Sequence, residues 1–404
     1  MVDKIKVVTL FLHDPLEEVH LQKDPYQIPY AFIRKGFKSF LLVQDISKDS
    51  LQRITGSTQR PNIFLISGAF PLQKVHYLKK SLRITVLRVI NDIMLSIKIL
   101  FHLRRIKPNV VISYYYPTIL FMARMAIAVK LLPPYIKLWC KLDSPGPAES
   151  SSKVIDLIRK LLMTFVYIAS DVISVESYVG YRRFLAYLPL IYNKFTVLPN
   201  GISVELMTKL KELEGKSKKE KTILCVARVE RYKGLELLIE AFSAIAEIFP
   251  EYKLKIIGPI VDEKYFHELL TLAYARRVQN SVFFLGSVPL EMLVKEYSSA
   301  SIFVLPSVIE GFGIARLEAA AAGLPVVTTN TPGSEFFPEK LVIDRDPKKL
   351  SSLLRELIED EQLRISFGNL CKIIASNFTW DKLTDKMLSI LKIRANEVAN
   401  NNYE

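Results

Sequence analysis

The stretch P-S-V-I-E-G-F-G-I-A-R-L-E-A-A-A-A-G-L-P-V-V, residues 306–327, gathers residue types that could hold a phosphorylated ligand. Gly311 and Gly313 mark a loop. The run after it, from about Ile314 through four alanines, reads as a helix that Gly323 caps, with Pro325 following where the helix is already over. A glycine loop opening onto a helix N-terminus presents bare N–H groups and the positive end of the helix dipole, which suits a diphosphate. Glu310 and Glu318 bracket this loop with seven residues between them, and carboxylates accept hydrogen bonds from sugar hydroxyls. Taken singly, each glutamate reads as a cap or a surface ion pair. Their joint spacing around the loop favours a nucleotide-sugar site. A second cluster, A-R-V-E-R-Y-K-G at 227–234, brings Arg228 and Lys233, cations that can neutralise phosphates, although a basic loop by itself can simply be solvated.

These residues need a scaffold. From 222 onward apolar runs and helical patterns alternate: strands at 222–227, 254–257, 282–285 and 302–305, with helices at 235–249, near 265–277 and near 290–298. That rhythm predicts a parallel, doubly wound sheet whose ligands bind at the strand ends. The first half shows short apolar strands at 5–12, 40–43, 62–66, 110–113, 136–141, 172–175 and 196–198, and a basic, amphipathic helical stretch over about 76–106. P-N-G at 199–201 marks a turn and a candidate domain boundary, and the polar stretch 209–221 reads as a short charged linker.

At 404 residues the chain suits two α/β domains of roughly 150–200 residues each. Its three cysteines, Cys140, Cys225 and Cys371, are scattered and form no metal-ligand spacing, which points to a reducing cytosol and no structural zinc. The apolar N-terminus lacks the features of a signal peptide, and the greasiest windows are interrupted by charges, so no transmembrane helix is expected. Residues 1–200 carry 28 Lys+Arg against 13 Asp+Glu, a net of +15; from the chain totals of 55 and 41, the remainder has 27 against 28, a net of −1. A one-sided basic field attracts phosphate-rich partners: an anionic membrane face, a lipid-phosphate acceptor or nucleic acid. A basic helical stretch of this kind could dock on a membrane surface or could be a core helix with a basic outer face.

The order and spacing of further motifs make the chain resemble the retaining GT-B glycosyltransferases of group 1, family 4. R-x4-K-G at 228–234, I-I-G ending at Gly258, F-L-G at 284–286, the E-x7-E element, P-G-x-E at 332–335, D-P-K-K-L at 346–350 and N-F-T-W-D at 377–381 carry the resemblance. It implies an α/β fold of two Rossmann-like, doubly wound parallel-sheet lobes facing a central cleft. The expected boundaries are 1–200 for a basic acceptor-binding lobe and 201–383 for a nucleotide-sugar lobe, with a helix at about 384–400 packing back on the first. Arg228 and Lys233 would bind the donor diphosphate, Glu310 the transferred sugar and Glu318 the ribose. Gly258 and the backbone of Gly311, Phe312, Gly313 and Ile314 would complete the donor site. The family keeps the anomeric configuration, and its front-face mechanism, in which cationic groups stabilise the leaving diphosphate, requires neither a metal nor a cofactor.

The first half departs from the family. F-L-H-D-P-L-E-E at 11–18 has no Gly-Gly loop, and where members place a histidine near the sugar this chain has W-C-K-L-D-S-P-G, 139–146. Asp143 or Lys141 would take that role, with a structural turn as the alternative; His13 is a weaker candidate. The expected function is transfer of a sugar from a nucleotide donor to a lipid-linked or membrane-surface saccharide acceptor. The expected location is cytoplasmic, peripheral at the inner membrane face. The alternatives are an epimerase or phosphorylase on the same fold, or a non-catalytic basic binding module. Nucleic acid is not the expected partner, because Tyr114, Tyr115 and Tyr116 are not interleaved with basic residues.

Overall fold

The computed structural model describes residues 5–12, 16, 21, 23–55, 60–66, 82–114, 136–144, 146–147 and 153–392. Contacts divide the chain into two compact units, Met1–Leu198 with Trp380–Glu404, and Pro199–Thr379. Among the described residues the strands form two sheets, one in each unit, and every pairing within them is parallel.

In the first unit the strands are β1 (Lys6–Phe11), β2 (Lys38–Val43), β3 (Asn62–Leu65), β4 (Val110–Tyr114), β5 (Lys137–Leu142), β6 (Val172–Val175) and β7 (Phe195–Val197). They lie in the order β3-β2-β1-β4-β5-β6-β7. The central strands are mostly apolar and buried, as expected where helices cover both faces of a parallel sheet; Val7, Val8, Val110, Val111, Ile112 and Trp139 are fully buried. Helix Asp24–Arg34 presents Ile28, Ala31 and Phe32 to the core. The C-terminal helix, Trp380–Ile390, buries Trp380, Leu383, Met387 and Leu388 in that same cluster. Ion pairs of 2.6 Å from Arg34 to Asp381 and from Lys35 to Asp385 join the two helices. This returning helix starts at Trp380, because the tryptophan is itself its first core residue; the expected part beyond 392 lies outside the described residues.

The second unit holds β8 (Thr222–Val226), β9 (Lys253–Ile257), β10 (Val282–Gly286), β11 (Ile302–Leu305), β12 (Val326–Thr329) and β13 (Val342–Ile343), in the order β10-β9-β8-β11-β12-β13. This is the Rossmann order, with the direction of winding reversing between β8 and β11. The stretch expected to be a linker is partly helical: Val204–Leu213 starts at Ser203, whose side chain accepts from the Leu206 N–H, and buries Leu206 and Leu210 one turn apart. Each buried leucine contributes about 1.5–3 kcal/mol, which outweighs the polar composition of the exposed face. Ile202 also pairs with Thr379, joining the first and last segments of this unit.

Candidate functional site

The loops after β8 and β11 emerge side by side because those strands pair, Ile302 with Ile223 and Phe303 with Leu224. After β8 the chain passes through the short 3-10 turn Arg231–Lys233 to Gly234, left-handed at φ 61°, and into helix Leu235–Ile248. A side chain at 234 would collide with the Arg345 guanidinium and the Pro306 carbonyl, so glycine is required both by conformation and by space. The two loops are bonded directly: the Tyr232 carbonyl accepts from the N–H groups of Val308 at 2.8 Å and Ile309 at 3.3 Å. Arg345 donates to the Pro306 carbonyl at 2.9 Å and pairs with Glu236 at 2.8 Å, bracing both loops from behind.

Within this frame Lys233 and Glu310 meet in an ion pair of 2.7 Å, with side chains 13% and 8% exposed. Ser307 donates to the same Glu310 oxygen at 2.7 Å. The Lys233 ammonium also lies 5.1 Å from the centre of the Tyr232 ring, whose other neighbour is the Arg228 guanidinium at 5.7 Å. Burial, followed by its hydrogen bond to Glu230, pushes the Tyr232 hydroxyl up to about 12, so the ring stays neutral between its cations. Arg228 is half exposed and pairs with Glu230 at 2.8 Å.

Beyond Glu310 the loop reaches Gly313, left-handed at φ 74°, which starts helix Ile314–Ala321; no side chain caps that N-terminus. Glu318 lies one turn into the helix and accepts from the Tyr297 hydroxyl at 2.8 Å. Tyr297 is fully buried, and burial with the adjacent Glu318 charge holds its hydroxyl well above the usual range, fixing it as a donor. Gly258 follows β9 and donates to the Gly286 carbonyl at 2.9 Å. The structure therefore gathers Arg228, Lys233, Glu310, Gly311, Phe312, Gly313, Ile314 and Glu318 on adjoining loops and one helix of the second unit. Gly258 sits at the end of the neighbouring strand, against the Ala227 backbone.

Asp143 belongs to the other unit, at the carboxyl end of β5. It is exposed and bonded to Lys141, which is 1% exposed and also pairs with buried Glu176 at 3.3 Å. His13 and most of the loop that should carry the Gly-Gly signature lie outside the described residues. Sequence reasoning missed Ser307, Tyr297, Arg316, Arg345 and Glu176. Ser307 and Arg316 stood inside the motif already singled out, while the other three come from distant segments that only the topology brings in.

Two parallel sheets, the second with a glycine loop and a lysine–carboxylate pair where its winding reverses, define the GT-B glycosyltransferase fold. A solved structure of Anabaena HepE in complex with UDP and glucose matches 96% of this chain and 99% of its own, with a TM-score of 0.71 at 16% identity. Residues 207–373 match the family described as "Glycosyl transferases group 1", so the second unit carries a group 1 glycosyltransferase domain. An uncharacterized glycosyltransferase of Methanocaldococcus jannaschii is 34% identical over 180 residues, 43% of this chain and 45% of that protein. The D-inositol 3-phosphate glycosyltransferase of Corynebacterium diphtheriae is 31% identical over 182 residues, 42% of each chain. The chain thus spans less than half the length of these curated relatives.

Proposed function

We propose that the protein is a retaining glycosyltransferase that moves a sugar from a nucleotide donor onto a lipid-linked or membrane-surface saccharide. The observation that carries this reading is the Lys233–Glu310 pair beside an uncapped helix N-terminus, at the point of the sheet where α/β proteins bind ligands. A donor diphosphate would take Lys233 and Arg228 as counter-charges and the Gly311–Ile314 backbone as hydrogen-bond donors, releasing Glu310 to accept from sugar hydroxyls. Glu318, steadied by Tyr297, would accept from the ribose. In the transfer step the bond from the anomeric carbon to the diphosphate oxygen breaks as the acceptor oxygen bonds on the same face, and the departing phosphate takes the acceptor proton. Two cationic side chains and the helix dipole stabilise that leaving group, so this reading needs no metal and no cofactor.

In the first unit Asp143, held by Lys141, is the group proposed to take the place of the family's histidine near the transferred sugar. The membrane-surface acceptor is supported by charge and by exposed apolar side chains. Leu157, Leu161, Phe165 and Ile168 are exposed at helical spacing along Lys153–Ala169, with Lys153 and Lys160 also exposed on that helix. Ile93, Met94, Ile97 and Phe101 are exposed on helix Leu82–Ile106, which ends in exposed Arg104 and Arg105. Apolar residues with basic neighbours suit an anionic interface. Among the described residues no helix is long and apolar enough to cross a membrane. The D-inositol 3-phosphate and phosphatidylinositol monomannoside transferases among the relatives support an anionic acceptor, and we propose that the enzyme sits at the inner membrane face as a peripheral protein with no nucleic-acid partner.

Incubating the protein with radiolabelled UDP-, GDP-, ADP- and dTDP-sugars and membrane lipid extract tests this directly. The expected result is label in the lipid fraction with one donor, in equal yield with and without EDTA. Label only in free sugar, or complete loss with EDTA, would contradict it.

A further inference from the structure

Arg316 is the third residue of helix Ile314–Ala321 and is 0% exposed. Its neighbours Leu317, Ala319, Ala320 and Ala321 are the apolar residues that pack this helix onto the sheet, so an arginine here breaks the pattern. The guanidinium lies directly under the glycine loop: a Cβ on Gly313 would sit 2.9 Å from its Nε and 3.0 Å from Cζ. Nη2 donates to Thr331 Oγ1 at 2.6 Å and Nη1 to the Pro332 carbonyl at 3.2 Å, both in the loop after β12. Nε is buried with no hydrogen-bond partner.

Its acceptors are thus neutral, and no described carboxylate lies within ion-pair distance. Burial lowers the guanidinium to about 10, with Glu310 and Glu335 opposing the shift from farther off, so the group stays cationic at neutral pH. A buried cation without an adjacent counter-charge is costly to keep, and in a low-dielectric interior its field is weakly screened. That field adds to the helix dipole at Gly313, where no side chain caps the backbone. The loop it grips also packs directly against the glycine loop, close enough that a Cβ at Gly333 would run into the Phe312 carbonyl.

We propose that Arg316 is a positioning residue for the donor: a buried counter-charge beneath the diphosphate that also ties the glycine loop to residues 331–333. The inference rests on the reading that this loop holds a nucleoside diphosphate. Arg316 contributes charge without contacting solvent, so its effect scales with the charge of the ligand. A purely structural arginine would affect all ligands of the pocket alike.

The experiment is calorimetric titration of wild type, Arg316→Met, Arg316→Gln and Arg316→Lys with UDP, GDP, ADP and dTDP, and with the monophosphate of whichever base binds. Met and Gln are expected to lower the ratio of diphosphate to monophosphate affinity about tenfold, and Lys to restore most of it. Gln keeps a polar side chain in place should Met fold poorly. An unchanged ratio in a folded Met or Gln variant, whether both affinities fall together or neither does, overturns the proposal while leaving the donor site standing. Failure of the wild type to bind any of the four nucleotides overturns the donor site and the proposal with it.

Discussion

Glu310→Gln is expected to lower sugar transfer by about three orders of magnitude while the protein remains folded. The carboxylate is the acceptor on which Lys233 and Ser307 converge, and in the proposed donor complex it is the group that meets the transferred sugar. Glutamine preserves its volume and one acceptor oxygen but removes the charge. The Lys233 ammonium, 13% exposed, then lacks its partner, at a cost of about 2 kcal/mol, or a few degrees in melting temperature. Initial rates at saturating donor, together with a thermal melt, separate the two effects. Wild-type turnover in the folded variant would remove Glu310 from the mechanism; loss of the cooperative transition would make its role architectural.

The second large effect concerns the scaffold. Gly258→Ala is expected to destabilise the second unit by about 3 kcal/mol. At φ 144° the new Cβ would run into the Ala227 carbonyl oxygen, with the Ala227 carbonyl carbon 2.6 Å away. Both obstacles are backbone, at the carboxyl ends of the central strands β8 and β9. Ala227 donates to the Ile257 carbonyl at 2.9 Å and Gly258 to that of Gly286, so neither chain can retreat without breaking the ladder. Relief of the clash displaces Arg228 as well. Gly286→Ala is the control: at φ 66°, with nothing within 4 Å of the added carbon, it should cost only about 1–2 kcal/mol. Urea midpoints read both variants, and equal midpoints would show that the close approach of 258 to 227 does not constrain the fold. Gly258 thus has a reason to be glycine that is independent of any donor contact.

The second unit was the more legible half. Its strands and helices are short and alternate regularly, and glycines such as Gly234, Gly258 and Gly313 stand where the chain turns left-handed or approaches another backbone, so the loop at 311–313 was visible as a loop. Helix Val204–Leu213 was missed because five of its ten residues are Lys, Glu or Thr; the signal was Leu206 and Leu210 one turn apart behind Ser203. Arg316 was visible as a residue, but its burial depends on how helix Ile314–Ala321 lies on the sheet, which spacing does not disclose. In the first unit the Lys141–Glu176 pair joins residues 35 apart through the pairing of β5 with β6, and no local pattern announces it. The exposed leucines of Lys153–Ala169 are equally silent in sequence, where they look like any core stripe.

Isothermal titration of the wild-type protein and its Lys233→Ala variant with UDP-, GDP-, ADP- and dTDP-sugars tests the central claim most directly. One nucleotide sugar should bind the wild type, with unchanged affinity in EDTA, and lose about tenfold or more in affinity when Lys233 is removed. Saturable binding of that sugar with equal affinity to both proteins would place the donor elsewhere and contradict the account.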